Sequence, residues 1–391
     1  METFGEALRR LRGDMSTRNL ALRANCSKSY VSILENNPAI KPSAQVVAAL
    51  DKALNADGEL INIHKSSTTP IPILPTSSLL PDADLYQRIT KVIDNPRRVD
   101  FATIEWLERC LAEHRRIEDT LGSAPLLPVI SSQLAIVTDL IHGASGALGD
   151  RIVSVAAQYA QFIAWLCQDS LELGAALAWY DRSHGWALEA GDPNLAATTL
   201  NMRAHLAWSM GDAQRCIRLA EASRWHEGRT TLGVQGMAAQ MAARGHAQSG
   251  EAGPARGLLG EAEELIRRSA ESPEEEPSWM YFYDDGWFTM QRGMAELELG
   301  EGNRAASFLE RGLSDLPENY RRDRAWFNSC LARAYLASGE AEAAADIAIA
   351  TAPDAVAVNA YAVKELHTVA ETLDQMHVAS ARDIHEALSN N

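Results

Sequence analysis

The chain has 391 residues, of which 46% are apolar and 23% are charged. At roughly 100–200 residues per domain this length allows two to four domains, and the composition excludes wholesale disorder and a fibrous fold. The formal net charge is −16, but residues 1–65 carry +2 and the remainder carries −18. Because an acidic surface repels a polyanion, any nucleic-acid contact is expected within residues 1–65.

Targeting, redox and catalytic signals are missing from the sequence. No apolar stretch approaches the roughly 18 residues of a membrane span, and the N-terminus lacks the basic region of a secretory signal. The five cysteines include no C-x-x-C pair, which favours reduced, buried thiols over disulfides or zinc. No nucleotide-binding, nucleophile-elbow or metalloprotease motif is present. We therefore expect a cytoplasmic protein that is not an enzyme, does not contact a membrane and needs no metal or cofactor.

The head, residues 1–63, has the pattern of a helix-turn-helix bundle. Its first helix, FGEALRRLR, places apolar residues on one face and arginines on the other. Ser16 is suited to cap a second helix over 17–23, and a third helix fits 28–35. Asn25 lies in the turn between them, where it can adopt the left-handed conformation that a tight corner needs.

These residues resemble the Xre/Cro/phage-repressor-like family. The resemblance covers about 60 residues: the LRRLR helix, STRNLA, the SKSYVSILE recognition helix and a fourth helix over 46–54. Three residues depart from the family pattern, since Thr17 replaces the usual Gln and Asn25 and Asn37 replace usual glycines. The resemblance implies a head that binds DNA.

The third helix would enter the major groove through its N-terminal turn. Lys28 and Ser29 would reach base edges, Ser32 lies one turn later, and Tyr30 could contact the backbone or a thymine methyl. Arg18 and Lys41 are suited to phosphates. The alternative is that these charges only solvate a small helical domain. The predicted DNA-binding residues are Arg18, Lys28, Ser29, Tyr30, Ser32 and Lys41.

Residues 64–84 form a Pro/Ser/Thr-rich linker, and the chain beyond it reads helical. We predict a helical N-cap over 85–147, repeats over 148–352 and capping helices over 353–391. Helical hairpins turn at spacings of 40, 39, 50 and 39 residues, which is close to a solenoid period. The predicted turns are at Leu171, Gly211, Gly250, Gly300 and Gly339.

Small residues occupy the places where the helices of each hairpin would cross. Seven residues before, five after and twelve after each turn, all fifteen positions are small. The body therefore resembles a tetratricopeptide solenoid, and we predict an all-α chain with a helix-turn-helix bundle followed by a tetratricopeptide-like α-solenoid. The whole layout is similar to actinobacterial Xre-type regulators and more distantly to peptide-sensing quorum regulators. The crossing residues are Ala164, Ala176, Ser183, Ala204, Cys216, Ser223, Ala243, Ala255, Ala262, Gly293, Ala305, Gly312, Ala332, Ala344 and Thr351.

The same register identifies the residues that line the concave groove of the solenoid. Amides can hydrogen-bond a peptide backbone, tryptophan supplies flat apolar area and arginine can hold a carboxylate, so we predict a peptide or small-molecule effector site. Alternatively, Trp165 and Trp287 pack between repeats and the amides are merely solvated. The predicted effector-binding residues are Gln158, Gln161, Trp165, Asn201, His205, Trp208, Gln240, Arg244, Trp287, Met290, Trp326 and Arg333.

Two further segments combine charge with aromatic residues. Residues 274–288, EEEPSWMYFYDDGWF, are interpreted as a packed insertion between two repeats, with a ligand gate or partner surface as the alternative. Arg321, Arg322 and Arg324 are interpreted as solvated charge, with contact to an acidic neighbour or to DNA as the alternative.

The leading hypothesis is a homodimeric transcriptional regulator that binds a double-stranded DNA operator. Its two heads would read half-sites about one helical turn apart, while an effector bound in the solenoid alters operator binding. The alternative is a protein-interaction scaffold that does not bind DNA, such as an antagonist of another regulator. The modest charge of the head favours this alternative, and the intact order of its helices favours the regulator.

Overall fold

The chain divides into two compact units, Met1–Pro72 and Ile73–Asn391, and the described residues contain helices and no strand. None of these helices is both long and apolar enough to cross a membrane. The structure, a computed structural model, describes residues 3–13, 15–24, 26, 28–36, 42, 44–67, 83–225 and 228–389.

The described residues of the first unit form five helices around one apolar core. Leu8, Leu20, Val31, Leu50 and Leu60, one from each helix, are fully buried in that core. The helices are α1 (Phe4–Arg12), α2 (Thr17–Arg23), α3 (Lys28–Asn36), α4 (Ala44–Leu54) and α5 (Glu59–Ser67).

Caps and close backbone contacts fix this bundle. Ser16 caps α2 as predicted, because its Oγ accepts from the Asn19 backbone N–H at 3.2 Å. A Cβ on Gly5 would lie 2.5 Å from the Leu34 carbonyl oxygen, so only glycine lets α1 approach α3 this closely. The predicted turn residue Asn25 lies outside the described residues.

The arginines of α1 are not a free basic face. Arg12 Nη2 donates to Glu35 Oε2 at 3.0 Å, and Arg9 Nη2 donates to the Glu35 carbonyl oxygen at 2.9 Å. Arg10 pairs with Glu59 of α5. These side chains tie α1 to α3 and α5, because each makes its bond to a residue far along the chain.

The second unit is a stack of helical hairpins. The flanks of the predicted linker are helical, since α5 continues to Ser67 and the next helix begins at Ala83. The helices are α6 (Ala83–Asp94), α7 (Phe101–Leu121), α8 (Leu127–Ile141), α9 (Gly146–Asp169), α10 (Leu173–Glu189), α11 (Pro193–Ser209), α12 (Ala213–Arg224), α13 (Leu232–Gln248), α14 (Ala252–Ser269), α15 (Asp285–Glu298), α16 (Gly302–Asp315), α17 (Arg321–Ala337), α18 (Ala341–Val358), α19 (Ala360–Gln375) and α20 (Ala381–Ser389).

All five predicted turns lie between the two helices of a hairpin. At each turn one residue adopts a positive φ, from 62° at Leu171 to 82° at Gly339. Glycine provides this conformation without strain in four hairpins, and Leu171 is the exception. The pairs α9–α10, α11–α12, α13–α14, α15–α16 and α17–α18 are therefore the repeat units, which confirms the predicted fold class.

The predicted crossing positions are buried in all five hairpins. The hydroxyls of Ser183 and Ser223, at the same place in successive hairpins, each donate to a carbonyl oxygen of the partner helix, at 2.7 and 2.8 Å. A Cβ on Gly312 of α16 would lie 3.1 Å from the Gly286 carbonyl oxygen and 3.2 Å from the Met290 nitrogen of α15. Backbones at these crossings approach too closely for larger side chains.

Candidate functional site

The first helices of the hairpins enclose a cavity of about 180 Å³, called here the central cavity. Helices α9, α11, α13, α15 and α17 contribute to its lining, together with α7 and the segment 279–282. Helix α7 packs against both α9 and α17, so the cap helix closes one side of the groove. The lining is thus built from the concave face of the stack.

Nine of the twelve predicted effector residues line the central cavity. The other three do not. Met290 is fully buried in the apolar core, and Arg333 pairs with Glu298 and Glu365. Gln158 lies beside the cavity, where its carbonyl oxygen accepts from Arg115. The nine lining residues are Gln161, Trp165, Asn201, His205, Trp208, Gln240, Arg244, Trp287 and Trp326.

A row of rings crosses the cavity wall. His205 lies between Trp165 and Trp208, with ring centroids 5.9 and 5.7 Å away. Its Nδ1 accepts from the Gln168 amide at 2.6 Å, and Gln168 Oε1 accepts from the Tyr180 hydroxyl at 3.0 Å. Burial, together with nearby arginines, holds the pKa of His205 well below its usual value. The imidazole is therefore neutral and acts as part of an aromatic wall.

Arg244 ends this row as a buried cation without a carboxylate partner. Its guanidinium carbon lies 3.5 Å from the centroid of the Trp208 ring, and its Nη1 donates to Gln291 Oε1 at 3.1 Å. Its Nε and Nη2 atoms, the Trp208 Nε1 and the Asn201 Oδ1 are buried without a hydrogen-bond partner. Burial lowers the pKa of Arg244 to about 10, so the side chain still carries its charge at neutral pH.

A second cation of the lining, Arg115, is held mainly by rings and long hydrogen bonds. Its guanidinium lies 5.8 Å from the Phe162 centroid and 5.7 Å from the Trp279 centroid. Its Nη2 donates to the Gln158 carbonyl and to Gln161 Oε1, both at 3.4 Å. Burial lowers the pKa of Arg115 to about 10.

Arg322, by contrast, is the centre of a buried ion network. It pairs with Glu118 at 2.8 Å, with Asp169 at 3.1 Å and with Asp323, and it stacks 4.6 Å from the Trp165 ring centroid. The interpretation of Arg322 as solvated charge is therefore wrong. The α17 backbone positions this side chain inward, toward carboxylates from α7 and α9.

Burial among like charges raises the pKa of two carboxyl groups in this network. The pKa of Glu118 rises to about 8 and that of Asp119 to about 7. The Ser123 hydroxyl lies 2.9 Å from Glu118 Oε1 and 2.8 Å from Asp169 Oδ2. One hydroxyl has a single proton, so Ser123 can donate to only one of the two carboxyl groups at a time.

The insertion between the third and fourth hairpins both packs and lines the cavity. Trp279, Met280 and Tyr283 are buried in the core, in agreement with the interpretation of 274–288 as a packed segment. Trp279 Nε1 donates to Thr198 Oγ1 at 3.2 Å, and the Tyr281 hydroxyl donates to Asp119 Oδ2 at 2.8 Å. The segment thereby completes the aromatic wall of the central cavity.

In the head, the candidate DNA-binding residues lie at the starts of two helices. Arg18 and Lys28 are exposed in the first turns of α2 and α3, and Ser32 is half-buried one turn further on. The backbones of Ser29 and Tyr30 belong to α3, but their side chains lie outside the described part of the structure, as does all of Lys41.

Several lining residues were not predicted from the sequence. Arg115, Glu118 and Asp119 form a charged stripe on α7 with the spacing of an ordinary solvated face. Gln291 follows Met290 and faces the cavity in its place. Arg322 meets Asp169 across 153 residues of sequence, and no local pattern signals such a pairing.

Comparison with known proteins assigns the head to a family. Residues 3–62 match the family described as "Helix-turn-helix domain". The chain thus combines a helix-turn-helix domain with a tetratricopeptide-like solenoid, as predicted. No curated protein matches the sequence.

The solved structures to which the chain is similar at low identity include three proteins. A Rap protein complexed with Competence and Sporulation Factor has 13% identity and a TM-score of 0.48, covering 96% of this chain and 97% of that one. BtubC from P. vanneervenii has 17% identity and a TM-score of 0.39, covering 64% and 91%. A tetratricopeptide repeat protein from Parabacteroides merdae has 12% identity and a TM-score of 0.33, covering 72% and 98%.

Proposed function

We propose that the protein is a cytoplasmic, homodimeric transcriptional regulator that binds an operator through its head and an effector through its solenoid. The observation that carries the proposal is the helix-turn-helix domain over residues 3–62. We assign DNA binding to 1–63 and effector binding and oligomerisation to 148–352, with a linker over 64–84. Capping helices over 85–147 and 353–391 enclose the repeats.

Exposed cations at helix starts support the DNA-binding role. Arg18 and Lys28 are exposed at positions where backbone N–H groups also point outward, and helix N-termini attract phosphates. The rest of the chain carries a net charge of −18, which disfavours contact with a polyanion there. Base contacts by the start of α3 would give selectivity, while phosphate contacts give affinity.

A gel-shift experiment on the upstream region of the gene, repeated at several salt concentrations, tests this role. Specific binding should weaken steeply with salt, because each phosphate contact releases counterions. In a footprinting experiment on the same DNA, Lys28→Ala together with Ser29→Ala should remove the protected site, since each good base contact contributes roughly 1–3 kcal/mol of discrimination. The double substitution should leave the melting temperature unchanged. Lys52→Ala, an exposed cation on α4, is the matched control and should retain the footprint.

The scaffold function without DNA binding is favoured by one observation. The arginines of α1 are engaged by Glu35 and Glu59, so three of the nine Lys and Arg residues of 1–65 are not free for phosphates. If the protein shows no salt-dependent retardation of any upstream fragment, the scaffold function replaces the regulator.

Effector binding is supported by the polar groups that face the central cavity without protein partners. Polar atoms buried without hydrogen bonds reduce stability, so their retention favours a ligand that satisfies them. Replacing Asn201, whose Oδ1 has no partner, by Ala should leave folding and apo DNA binding intact. It should also abolish the effect of host extract on DNA affinity, a coupling of about 1–3 kcal/mol.

A further inference from the structure

We propose that Arg244 is the anion-binding residue of the central cavity, and that the solenoid binds an amphipathic monocarboxylate through it. The inference rests on the proposed ligand-binding function of the solenoid and deepens it by naming the ligand class.

The unsatisfied atoms of Arg244 are the two that form a bidentate edge. Elsewhere in the chain, arginines use Nε and Nη2 together to hold one carboxylate: Arg151 holds Glu108 at 3.1 and 2.7 Å, and Arg256 holds Glu296 at 3.1 and 2.7 Å. In Arg244 this same edge is buried and has no partner, while the third nitrogen, Nη1, is held by Gln291. The guanidinium is oriented, and the edge that fits two parallel oxygens has no hydrogen-bond partner.

Stacking by Trp208 does not compete with a ligand for this edge. The ring covers the face of the guanidinium at 3.5 Å, whereas N–H bonds extend within the guanidinium plane. Trp208 Nε1 and Asn201 Oδ1 are also unpartnered, so a donor and an acceptor beside the cation can serve the polar end of the ligand.

The carboxyl groups of the lining disfavour a dianion. Glu118, Asp169 and Asp323 already surround Arg322, and a fourth carboxyl, Asp119, lies on the same wall. These groups would repel a phosphate dianion more strongly than a carboxylate. Arg322 is fully paired, and Arg115 donates to Gln158 and Gln161. Among the arginines of the lining, Arg244 is therefore the one whose Nε and Nη2 are both buried without a partner.

The rest of the lining suits an apolar tail. Methionines and aromatic rings from α11, α13 and the insertion face the cavity, and methionine adapts to irregular apolar shapes. A free organic acid and the C-terminus of a short peptide both present a carboxylate on an apolar body, and matched probes separate these two sources. The methionines of the lining are Met202, Met237, Met241 and Met280.

The experiment compares acids with their amides on the full-length protein. The probes are linear alkanoates from hexanoate to decanoate and N-acetyl tripeptides ending in Leu or Phe, each paired with its primary amide. Thermal shift and isothermal titration should show at least one acid that binds roughly tenfold or more tightly than its amide, since charged hydrogen bonds exceed neutral ones by this order. Preference among alkanoates or among peptides identifies the source.

Variants of Arg244 give a second, independent readout. Arg244→Met should abolish the preference for acid over amide without lowering the apo melting temperature, because it removes an unpaired buried charge. Arg244→Lys keeps the charge but loses the planar fork, and should retain only part of the preference. Arg256→Met, at a paired guanidinium outside the lining, is the control and should retain the full preference.

Four outcomes overturn the proposal: no acid in the panel binds, acids and amides bind equally, the preference survives in Arg244→Lys and Arg244→Met, or it disappears in Arg115→Met instead. Parallel gel shifts distinguish failure of the proposed function. An acid that binds through Arg244 but leaves DNA affinity unchanged refutes only the effector role, whereas an uncharged effector that changes DNA affinity refutes only the carboxylate assignment.

Discussion

Gly312→Ala should destabilise the solenoid, although alanine is the better helix former. A Cβ at this position would meet the Met290 side chain and lie 3.1 Å from the Gly286 carbonyl oxygen. Met290 is fully buried and the oxygen belongs to the backbone of α15, so neither neighbour can move freely. Overpacking of this kind costs roughly 1–3 kcal/mol.

The matched control is Gly257→Ala on the exposed side of α14. Nothing lies within 4 Å of a Cβ built on Gly257, so this substitution should only gain helix propensity, roughly 0.5–1 kcal/mol. Because the propensity gain is common to both variants, their difference in unfolding free energy isolates the packing cost of the crossing. We expect Gly312→Ala to be the less stable of the two by roughly 1–3 kcal/mol.

Urea denaturation followed by circular dichroism measures this difference, with Ala243→Leu as a second test at the crossing of α13 with α14. If Gly312→Ala is as stable as Gly257→Ala, and Ala243→Leu is also neutral, the helices do not approach as closely as the repeat register requires. The assignment of small residues to helix crossings would then be refuted.

Three further substitutions test separate features of the solenoid by denaturation. Leu171→Gly should stabilise the folded protein by roughly 1 kcal/mol, because Leu171 adopts a φ of 62° and such a conformation costs a non-glycine residue about that much. An unchanged midpoint of urea denaturation would show that Leu171 is not strained. Arg322→Ala should lower the free energy of unfolding by roughly 3–5 kcal/mol, because it leaves buried carboxylates unpaired. Its control is Arg321→Ala, which should change that free energy by only about 0–1 kcal/mol, since the partner Asp354 is half-exposed. Burial lowers the pKa of His114 to about 4, and neither ring nitrogen has a partner. Between pH 6.5 and about 4, the unfolded chain therefore binds a proton at His114 that the folded chain does not, and the free energy of unfolding falls as the pH drops through this range. His114→Leu should remove that part of the pH dependence. An identical pH profile in the two proteins would contradict this prediction.

The turns and crossings of the solenoid were predictable because they repeat with the hairpin. Each repeat must reverse direction and bring two backbones close, so the same residue types recur at the same distance from each turn. The groove lining followed from this register for helices α9, α11 and α13. Local periodicity was sufficient wherever the contacts of a residue lie within its own hairpin or the next one.

The register fails in α15, where the position that holds Gln161, Asn201 and Gln240 in earlier hairpins holds Met290. The next residue, Gln291, lies about 100° further around the helix than Met290. Gln291 consequently faces the cavity, and its Oε1 accepts from Gln240 at 3.2 Å. Hydrophobic Met290 turns toward Gly312, where the missing side chain leaves room for it. Packing therefore decided the orientation, and a fixed spacing from the turn could not show it.

The two buried arginines Arg322 and Arg244 show why burial alone does not distinguish a structural charge from a functional one. Both stack on a tryptophan, and both lie on the same cavity. Removing Arg322 leaves three carboxylates uncompensated, so its loss acts on folding. Removing Arg244 leaves Gln291 Oε1 with its remaining bond from Gln240 and relieves an unpaired cation, so its loss should be neutral or stabilising for the apo protein. A buried charge whose removal does not lower stability is retained for a ligand that binds to it. The free energy of unfolding should fall on removal of Arg322 but not on removal of Arg244, and this difference makes the inference measurable.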